Sequence, residues 1–315
     1  MRTTRCGTEI EHGPVLVTGA GGFAGAHIME GFGLGEGDCA VDVTDGFTAP
    51  PGVRKVAWRL PNPAPESLGG FRFVVHLAAL SSVESSRFNP KEVYAVNLMG
   101  TIELLDFVLA RCPEAKVLLV SSSEVYQPSG KPVSEESPLN PGSPYAASKA
   151  AMEHAARHYL RQAGLSVVIA RSFPHYGPGQ SGRFALPSFC RRIIEARRNG
   201  DEALRVGNLY PVRDYLHVRD VVRAYALLLS RGEAGEVYNV CSGVGVSMGE
   251  MLETLLRVSG TELNVRTDPS LARNDDHSHQ VGNPAKLNAL GGFVPTVGHE
   301  EGLLELYSWW SRRMQ

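Results

Sequence analysis

The segment VLVTGAGGFAGAHIME, residues 15–30, connects an apolar run typical of a β-strand to a segment typical of an α-helix. Its glycines have the spacing G-x-x-G-x-x-G and lie between the two parts. Glycine permits a tight turn and a close approach of backbone to ligand, and a helix N-terminus favours a negatively charged group. The segment therefore predicts a turn that binds the pyrophosphate of a dinucleotide, although a purely structural turn would use the same glycines. The residues expected to contact the dinucleotide are Gly19, Gly22, Phe23, Ala24 and Gly25.

Apolar strands alternate with helical segments through the first half of the chain. The next strand-like runs are DCAVDV (38–43), RFVVHLAA (72–79), KVLLVSS (116–122) and LSVVIARSF (165–173). Helical patterns cover 93–112, 143–164, 186–200, 219–232, 247–260 and 300–314. Short continuous apolar strands separated by helices predict a parallel sheet covered on both faces. This is a doubly wound α/β (Rossmann) fold, and the less regular second half predicts a smaller C-terminal substrate-binding lobe.

The expected domains follow from this pattern. Residues 1–13 are polar and predict a disordered leader, 14–173 the NAD(P)-binding domain, to which 210–240 return, and 174–209 with 241–315 the substrate lobe. The formal net charge is −2 and there is no long charge block, so we expect neither a nucleic-acid nor a membrane partner. The five cysteines form no CxxC pair, which favours a reduced, cytoplasmic protein.

Asp42 stands at the end of the second predicted strand. A carboxylate at that place hydrogen-bonds the ribose hydroxyls of the adenosine and repels a 2′-phosphate. No Arg or Lys follows until Arg54, so no obvious partner for such a phosphate exists. The sequence therefore favours NAD over NADP, without excluding NADP.

Tyr145 and Lys149 lie four residues apart at the start of a predicted helix that Ser143 and Pro144 begin. This spacing puts both side chains on one helical face. An ammonium beside a phenol stabilises the phenolate and lowers its pKa from about 10, so the phenol can exchange a proton with a sugar hydroxyl. The same spacing also occurs in plain surface pairs. The glycine-rich turn and the serine cluster Ser121–Ser123, which lie upstream, argue against that interpretation.

Taken together, these motifs resemble the extended short-chain dehydrogenase/reductases that act on nucleotide sugars. The resemblance runs from about Pro14 to Trp310 and includes HLAALSSV (76–83), SSSEVY (121–126), SPYAASKAAME (143–153) and YGPGQ (176–180). It implies that Ser122 or Ser123 orients the reacting hydroxyl, that Tyr145 is the acid/base and that Lys149 holds Tyr145 and the nicotinamide ribose. The further cofactor contacts that it implies are Leu77, Ala78, Ala79, Asn97, Ser121 and Phe173. The substrate contacts that it implies are Ser81, Ser82, His175, Arg183, Arg213 and Arg273.

The arginines among these residues suit a diphosphate, because a guanidinium can bind it with two hydrogen bonds. Two positions depart from the family pattern: Pro174 stands where an asparagine is usual, and Gln127 where a glycine is usual. Proline brings no donor, so that contact is either lost or replaced, for which His175 is the candidate. The residues Asp275, Asp276, His277 and His279 could suggest a metal, but the family chemistry needs none and we expect no metal.

Segments such as RVGNLYPVRDYLHVRDVVRAYALLL (205–229) most resemble the branch that acts on GDP-linked 4-keto-6-deoxy-hexoses, namely GDP-4-keto-6-deoxy-mannose reductases and GDP-mannose 4,6-dehydratases. The leading expectation is therefore a 4-reductase. Glu124 leaves a 4,6-dehydratase open, since elimination needs an additional acid/base. A 4-epimerase and, more remotely, a non-catalytic NAD-binding regulator also agree with the motifs. The resemblance further implies a homodimer formed through helices near 94–110 and 145–163.

Overall fold

The computed structural model of the protein describes residues 2–5, 7–271 and 279–315. The strands are β1 (Arg2–Thr3), β2 (Glu9–Ile10), β3 (Val15–Thr18), β4 (Cys39–Asp42), β5 (Arg54–Ala57), β6 (Phe73–His76), β7 (Lys116–Ser122), β8 (Val167–Ser172), β9 (His175–Tyr176), β10 (Ala203–Val206), β11 (Val212–Asp214), β12 (Leu216–His217), β13 (Val237–Val240), β14 (Gly245–Ser247), β15 (Asn264–Thr267) and β16 (His279–Gln280). The helices are α1 (Phe23–Gly31), α2 (Val83–Phe88), α3 (Pro90–Tyr94), α4 (Gly100–Arg111), α5 (Pro144–Ala163), α6 (Ala185–Asn199), α7 (Val218–Arg231), α8 (Met248–Ser259), α9 (Ala285–Ala289) and α10 (His299–Arg313).

Seven strands form one parallel sheet in the order β13-β8-β7-β6-β3-β4-β5. Every residue of β3, β6 and β8 is buried, because helices cover both faces. Helices α1 and α7 pack on one face, and α4 and α5 pack on the other. The doubly wound α/β fold predicted from the strand pattern is thus confirmed.

The chain enters the second lobe after β8 and comes back to the sheet at β13, which pairs in parallel with β8. The lobe has its own apolar core, in which α6, α8 and α10 pack together. Three small sheets complete it, with the strand orders β10-β15, β14-β11-β16 and β12-β9. The domain boundaries drawn from the sequence stay a prediction. Arg273, Asp275, Asp276 and His277 lie outside the described residues.

The N-terminal segment differs from the disordered leader that the sequence suggested. β1 and β2 form an antiparallel pair in which Thr3 lies opposite Glu9. Ile10 is fully buried in the core cluster that includes α7 residues such as Val222. Burying one isoleucine stabilises a segment by about 2 kcal/mol, and the polar composition around Ile10 hid this contact.

The helix predicted over 93–112 is divided into α3, a π-helical turn (Ala95–Met99) and α4. Single π-helical turns often lie at functional sites. By length and apolar composition, the run Pro90–Arg111 is the one helix among the described residues that could cross a membrane. Its residues Leu104, Leu105 and Val108 are fully buried against the sheet, so it packs as a core helix.

Candidate active site

The glycine-rich turn has the geometry that a pyrophosphate needs. Gly19 has a φ of +70°, and a Cβ there would lie 2.7 Å from the backbone nitrogen of Ala78. A Cβ on Gly25 would lie 2.4 Å from the carbonyl oxygen of Gly19. Both positions therefore require glycine, whereas Gly22 is exposed at the start of α1. The residues present fit a dinucleotide whose phosphates contact this turn.

Asp42 lies beside this turn, at the carboxyl end of β4. Its Oδ2 accepts a 2.9 Å hydrogen bond from the backbone N–H of Gly21. Its Oδ1 accepts a 2.7 Å hydrogen bond from the N–H of Val43. The carboxylate is thus fixed beside the glycine-rich turn at the end of β4. Its contact with an adenosine ribose stays a prediction.

Asn97 connects the loop after β6 to helix α5. It is fully buried in the π-helical turn, and its Oδ1 accepts a 2.8 Å hydrogen bond from the N–H of Leu80. Its Nδ2 donates to Oγ of Ser148 at 2.9 Å, and Ser148 donates in turn to the carbonyl oxygen of Tyr145 at 2.7 Å. The π-helical turn therefore places an amide between the loop 77–80 and Tyr145. Leu77, Ala78 and Ala79 of that loop are partly exposed next to the glycine-rich turn.

The end of β7 carries the serine cluster. Ser122 and Ser123 are 7% and 1% exposed, and Oγ of Ser122 accepts a 3.2 Å hydrogen bond from the N–H of Glu124. Glu124 is partly buried in the following 3₁₀ turn. The hydroxyl of Ser121 donates instead to Oε1 of Glu153 at 2.5 Å, so its hydrogen bond lies within the protein interior.

Tyr145 and Lys149 lie at the start of α5, where Ser143 caps the helix and Pro144 occupies its first turn. Burial raises the pKa of Tyr145 to about 12; a hydrogen bond with Ser122 lowers it and the charge of Glu124 raises it. Burial lowers the pKa of Lys149 to about 8, and Glu153 opposes this shift.

The two side chains of the Tyr–Lys pair are not in direct hydrogen-bond contact. Nζ of Lys149 lies 6.0 Å from the centroid of the Tyr145 ring and donates to the carbonyl oxygen of Val120 at 2.7 Å. The sequence predicts that Lys149 lowers the pKa of Tyr145. In the structure, burial of the phenol raises that pKa instead.

His175 lies against the glycine-rich turn. Its ring stacks on Phe23, with centroids 5.9 Å apart and planes 13° apart, and its Nδ1 lies 3.1 Å from the carbonyl oxygen of Phe173. Burial lowers the pKa of His175, which favours the neutral ring. Phe173 itself is 1% exposed, and Pro174 accepts a hydrogen bond from the N–H of Leu216 at its carbonyl oxygen.

The predicted substrate residues are more widely spread than the catalytic ones. Ser82 caps α2, since its Oγ accepts a 3.1 Å hydrogen bond from the N–H of Ser85, and Ser81 is exposed just before it. Arg183 is exposed ahead of α6. Arg213 lies on β11, partly buried, with Nη1 donating to the carbonyl oxygen of its neighbour Val212 at 3.0 Å.

A polar pocket beside Tyr126 could not be predicted from the sequence. Its lining includes Gln127, Ser129, His279 and Gln280. Nδ1 of His279 and Oε1 of Gln280 are buried without a hydrogen-bond partner in the described part of the chain. The cavity measures about 10 Å³, room for about one water molecule, and a water molecule there would satisfy such atoms. The sequence indicates His279 only as a possible metal ligand, and Gln127 only as a departure from a family pattern.

Three buried charged residues also escape prediction from the motifs. Glu153 follows Lys149 by one helical turn and pairs with Arg171, an arginine inside an otherwise apolar strand. A charge in the middle of a buried strand is the available signal. Asp214, fully buried next to Arg213, accepts hydrogen bonds from the N–H groups of Ser242 and Gly243 at 2.8 Å each.

Comparison with known proteins agrees with this geometry. The family model described as GDP-mannose 4,6 dehydratase matches residues 70–306. The chain belongs to this family. Its fold and motifs make it an extended short-chain dehydrogenase/reductase, and its relatives are NAD(P)-dependent enzymes of nucleotide sugars.

Three relatives of this GDP-mannose 4,6-dehydratase family member show the range of its similarity. The GDP-6-deoxy-D-mannose reductase of Pseudomonas aeruginosa is 33% identical over 96% of this chain and 98% of its own length. The structure of RMD from Pseudomonas aeruginosa complexed with NADPH is 31% identical, with a TM-score of 0.80, and covers 96% of this chain and 100% of that one. The Thermus thermophilus UDP-glucose 4-epimerase complex with NAD is 30% identical, with a TM-score of 0.81, over 94% and 98%.

Proposed function

We propose that the protein is a nicotinamide-dependent 4-reductase of a GDP-4-keto-6-deoxy-hexose. The observation that carries the proposal is that Ser122, Tyr145 and Lys149 are buried together at the carboxyl edge of the sheet, with Nζ of Lys149 6.0 Å from the centroid of the Tyr145 ring. This edge is where doubly wound folds bind their ligands. The 33% identity with a GDP-6-deoxy-D-mannose reductase over nearly the whole chain supports the choice of substrate.

The nicotinamide dinucleotide is held by the glycine-rich turn, by Asp42 and by the loop 77–80. When bound, it supplies the hydride that is transferred to C4 of the sugar. Tyr145 donates a proton to the C4 oxygen, and Ser122 donates a hydrogen bond to the same oxygen. Lys149 stabilises the phenolate that remains. Asp42 favours NADH, and the NADPH in one related structure keeps NADPH open as the second cofactor.

On the substrate side, Arg213 and Arg273 bind the diphosphate, and Arg183 and His175 make further contacts with the nucleotide sugar. A homodimer is formed through the exposed apolar side chains of the run Pro90–Arg111, together with α5. The reaction requires no metal, and the protein acts in the cytoplasm.

A 4,6-dehydratase is the second candidate, and the observation that favours it is Glu124. This side chain is close enough to Tyr145 for its charge to act on the phenol, so it could remove the C5 proton of an oxidised sugar. A 4-epimerase would use the same Tyr145 and Lys149, as the similarity to a UDP-glucose 4-epimerase allows. A non-catalytic regulator would have no use for Ser122, Tyr145 and Lys149 together.

The test compares two substrates. We expect the purified protein to oxidise NADH or NADPH when it is given GDP-4-keto-6-deoxy-mannose. The reaction is measured by the loss of nicotinamide absorbance. The same protein with GDP-mannose and NAD⁺ is expected to form no 4-keto product. Conversion of GDP-mannose, abolished in Glu124→Gln, would overturn the reductase in favour of the dehydratase. A protein that binds nicotinamide but alters no nucleotide sugar would be a regulator.

A further inference from the structure

A buried ion pair lies directly behind the strand end that carries Ser122. Glu153 is fully buried and Arg171 is 2% exposed. Nε of Arg171 donates to Oε1 of Glu153 at 3.0 Å, and Nη2 donates to Oε2 at 2.8 Å. Burying two charges removes their hydration, and apolar residues of similar size would be as stable or more so. Stability alone therefore gives no reason for this pair, and its position suggests another role.

Glu153 and Lys149 of helix α5 contact two consecutive residues at the end of β7. Oε1 of Glu153 accepts the 2.5 Å hydrogen bond from the hydroxyl of Ser121. One turn earlier on α5, Nζ of Lys149 donates to the carbonyl oxygen of Val120. Arg171 lies opposite Ser121 in the parallel ladder between β7 and β8. The helix that carries Tyr145 and the strand that carries Ser122 are thus fixed relative to each other by charged side chains.

The same carboxylate balances the charge of Lys149. The titratable and charged groups packed around Lys149, Glu153 and Tyr145 are His76 on β6, Glu124, Tyr126 and Glu135 after β7, Arg157 on α5, Arg171 on β8 and Tyr225 on α7. Burial lowers the pKa of Lys149, and Glu153 is the group that acts against this. Burial also lowers the pKa of His76 to about 3, so His76 is neutral at ordinary pH and adds no charge of its own.

We propose that Glu153, held by Arg171, is a positioning residue for proton transfer: it fixes the strand end through Ser121 and keeps Lys149 charged beside Tyr145. The inference rests on the proposed function, in which Tyr145 and Lys149 take part in proton transfer. It adds a buried acidic residue that touches neither substrate nor cofactor. Glu153 acts on the reaction only through Lys149 and Ser121.

The test is the pH profile of kcat/KM for reduction of the keto sugar. Glu153→Gln keeps the shape and removes the charge, so the alkaline limb is expected to move to lower pH by about one unit. Arg171→Met leaves the carboxylate of Glu153 without its partner. The alkaline limb of this variant is expected to move to higher pH. Ser121→Ala keeps the ion pair and should lower kcat without moving the limb. Glu195→Gln, in an exposed pair with Arg191 on α6, is the matched control and should change nothing.

Opposite shifts in Glu153→Gln and Arg171→Met would support the proposal. A folded Glu153→Gln protein whose rate falls equally at every pH, or not at all, would overturn it. If Glu153→Gln fails to fold, Arg171→Met decides alone: a limb that moves to higher pH supports the proposal, and a limb that stays in place or moves to lower pH would overturn it.

A second readout needs no turnover. The Nζ resonance of Lys149, identified by its loss in Lys149→Met, can be titrated by NMR in the wild type and in Glu153→Gln. A lower pKa in the variant supports the role of Glu153, and an equal pKa rejects it. If the wild type reduces no nucleotide sugar, the proposed function fails, while this titration still decides whether Glu153 holds the charge of Lys149.

Discussion

The backbone N–H of Gly21 donates a 2.9 Å hydrogen bond to Oδ2 of Asp42, and this bond joins the glycine-rich turn to the end of β4. A fixed negative charge therefore lies beside the place where the adenosine ribose would bind. It attracts hydroxyl groups and repels a phosphate. The first prediction follows from this relationship.

The wild type is expected to have a lower KM for NADH than for NADPH. Asp42→Ser removes a charged hydrogen bond, which contributes about 1.5–3 kcal/mol, so the KM for NADH should rise about tenfold or more. The KM for NADPH should fall or stay unchanged. Asp45→Ser, an exposed carboxylate in the same loop, is the control. A preference for NADPH in the wild type would contradict the role of Asp42.

Tyr145→Phe is expected to lower kcat by about 10²- to 10⁴-fold, because the proton donor is lost. Binding of NADH, measured by fluorescence, should be retained. Tyr159→Phe is the matched control: it lies on the same helix, and its hydroxyl donates to Asp106 on the protein surface. If Tyr145→Phe lost cofactor binding instead, the site would have been assigned to the wrong residues.

The rate of reduction is expected to fall as pH rises through about 8, where buried Lys149 loses its proton. Below that pH the ammonium is charged and stabilises the phenolate; above it the stabilisation disappears. Tyr145, with a pKa of about 12, remains a proton donor throughout this range. Lys149→Met should abolish this fall in rate at high pH as well as most of the activity. A rate that stays constant up to about pH 10, well above the Lys149 pKa, would contradict this assignment.

Glu124→Gln is expected to leave reduction of the keto sugar within about threefold of the wild type, because Tyr145 alone supplies the proton. The charge of Glu124 raises the pKa of Tyr145, so its removal should shift the ionisation of the phenol to lower pH. Steady-state kinetics at several pH values would measure both effects. A loss of reductase activity as large as that in Tyr145→Phe would make Glu124 a proton donor as well.

The protein is expected to be a dimer in solution through the exposed side of the run Pro90–Arg111. Met99 is 50% exposed and Tyr94 and Leu109 are each 37% exposed. Met99→Glu should halve the mass measured by light scattering, since a buried, unpaired charge opposes association. Leu304→Glu, at a similarly exposed leucine on α10, should have no effect. A wild-type monomer would exclude the dimer.

The regular part of the fold could be predicted from the sequence because its signals are local. Strands β3 and β6 begin as continuous apolar runs, as β8 does up to Ala170, and Gly25 is required by a contact within its own turn. Strand β5 gave no such signal: its residues Arg54 and Lys55 are exposed at the edge of the sheet. The π-helical turn at Asn97 was equally hidden, because it has the composition of the helices on either side.

The candidate site was predictable where chemistry depends on spacing along one helix, as for Tyr145 and Lys149. It was not predictable where distant segments meet. Arg171 and Glu153 are far apart from Ser121 in sequence, yet all three form one hydrogen-bonded group. The stacking of His175 on Phe23 likewise depends on how the chain crosses the carboxyl edge of the sheet.

Strand β13 is made long after the other six strands of its sheet, with α6 and α7 synthesised in between. While the chain is still on the ribosome, β8 has an unpaired outer side until residues 237–240 emerge. An unpaired side of this kind attracts other strands and promotes aggregation. A fragment that stops at residue 173 would keep the glycine-rich turn and Tyr145 but would be prone to aggregate. The nucleotide-binding unit therefore cannot be separated cleanly from the lobe that follows it.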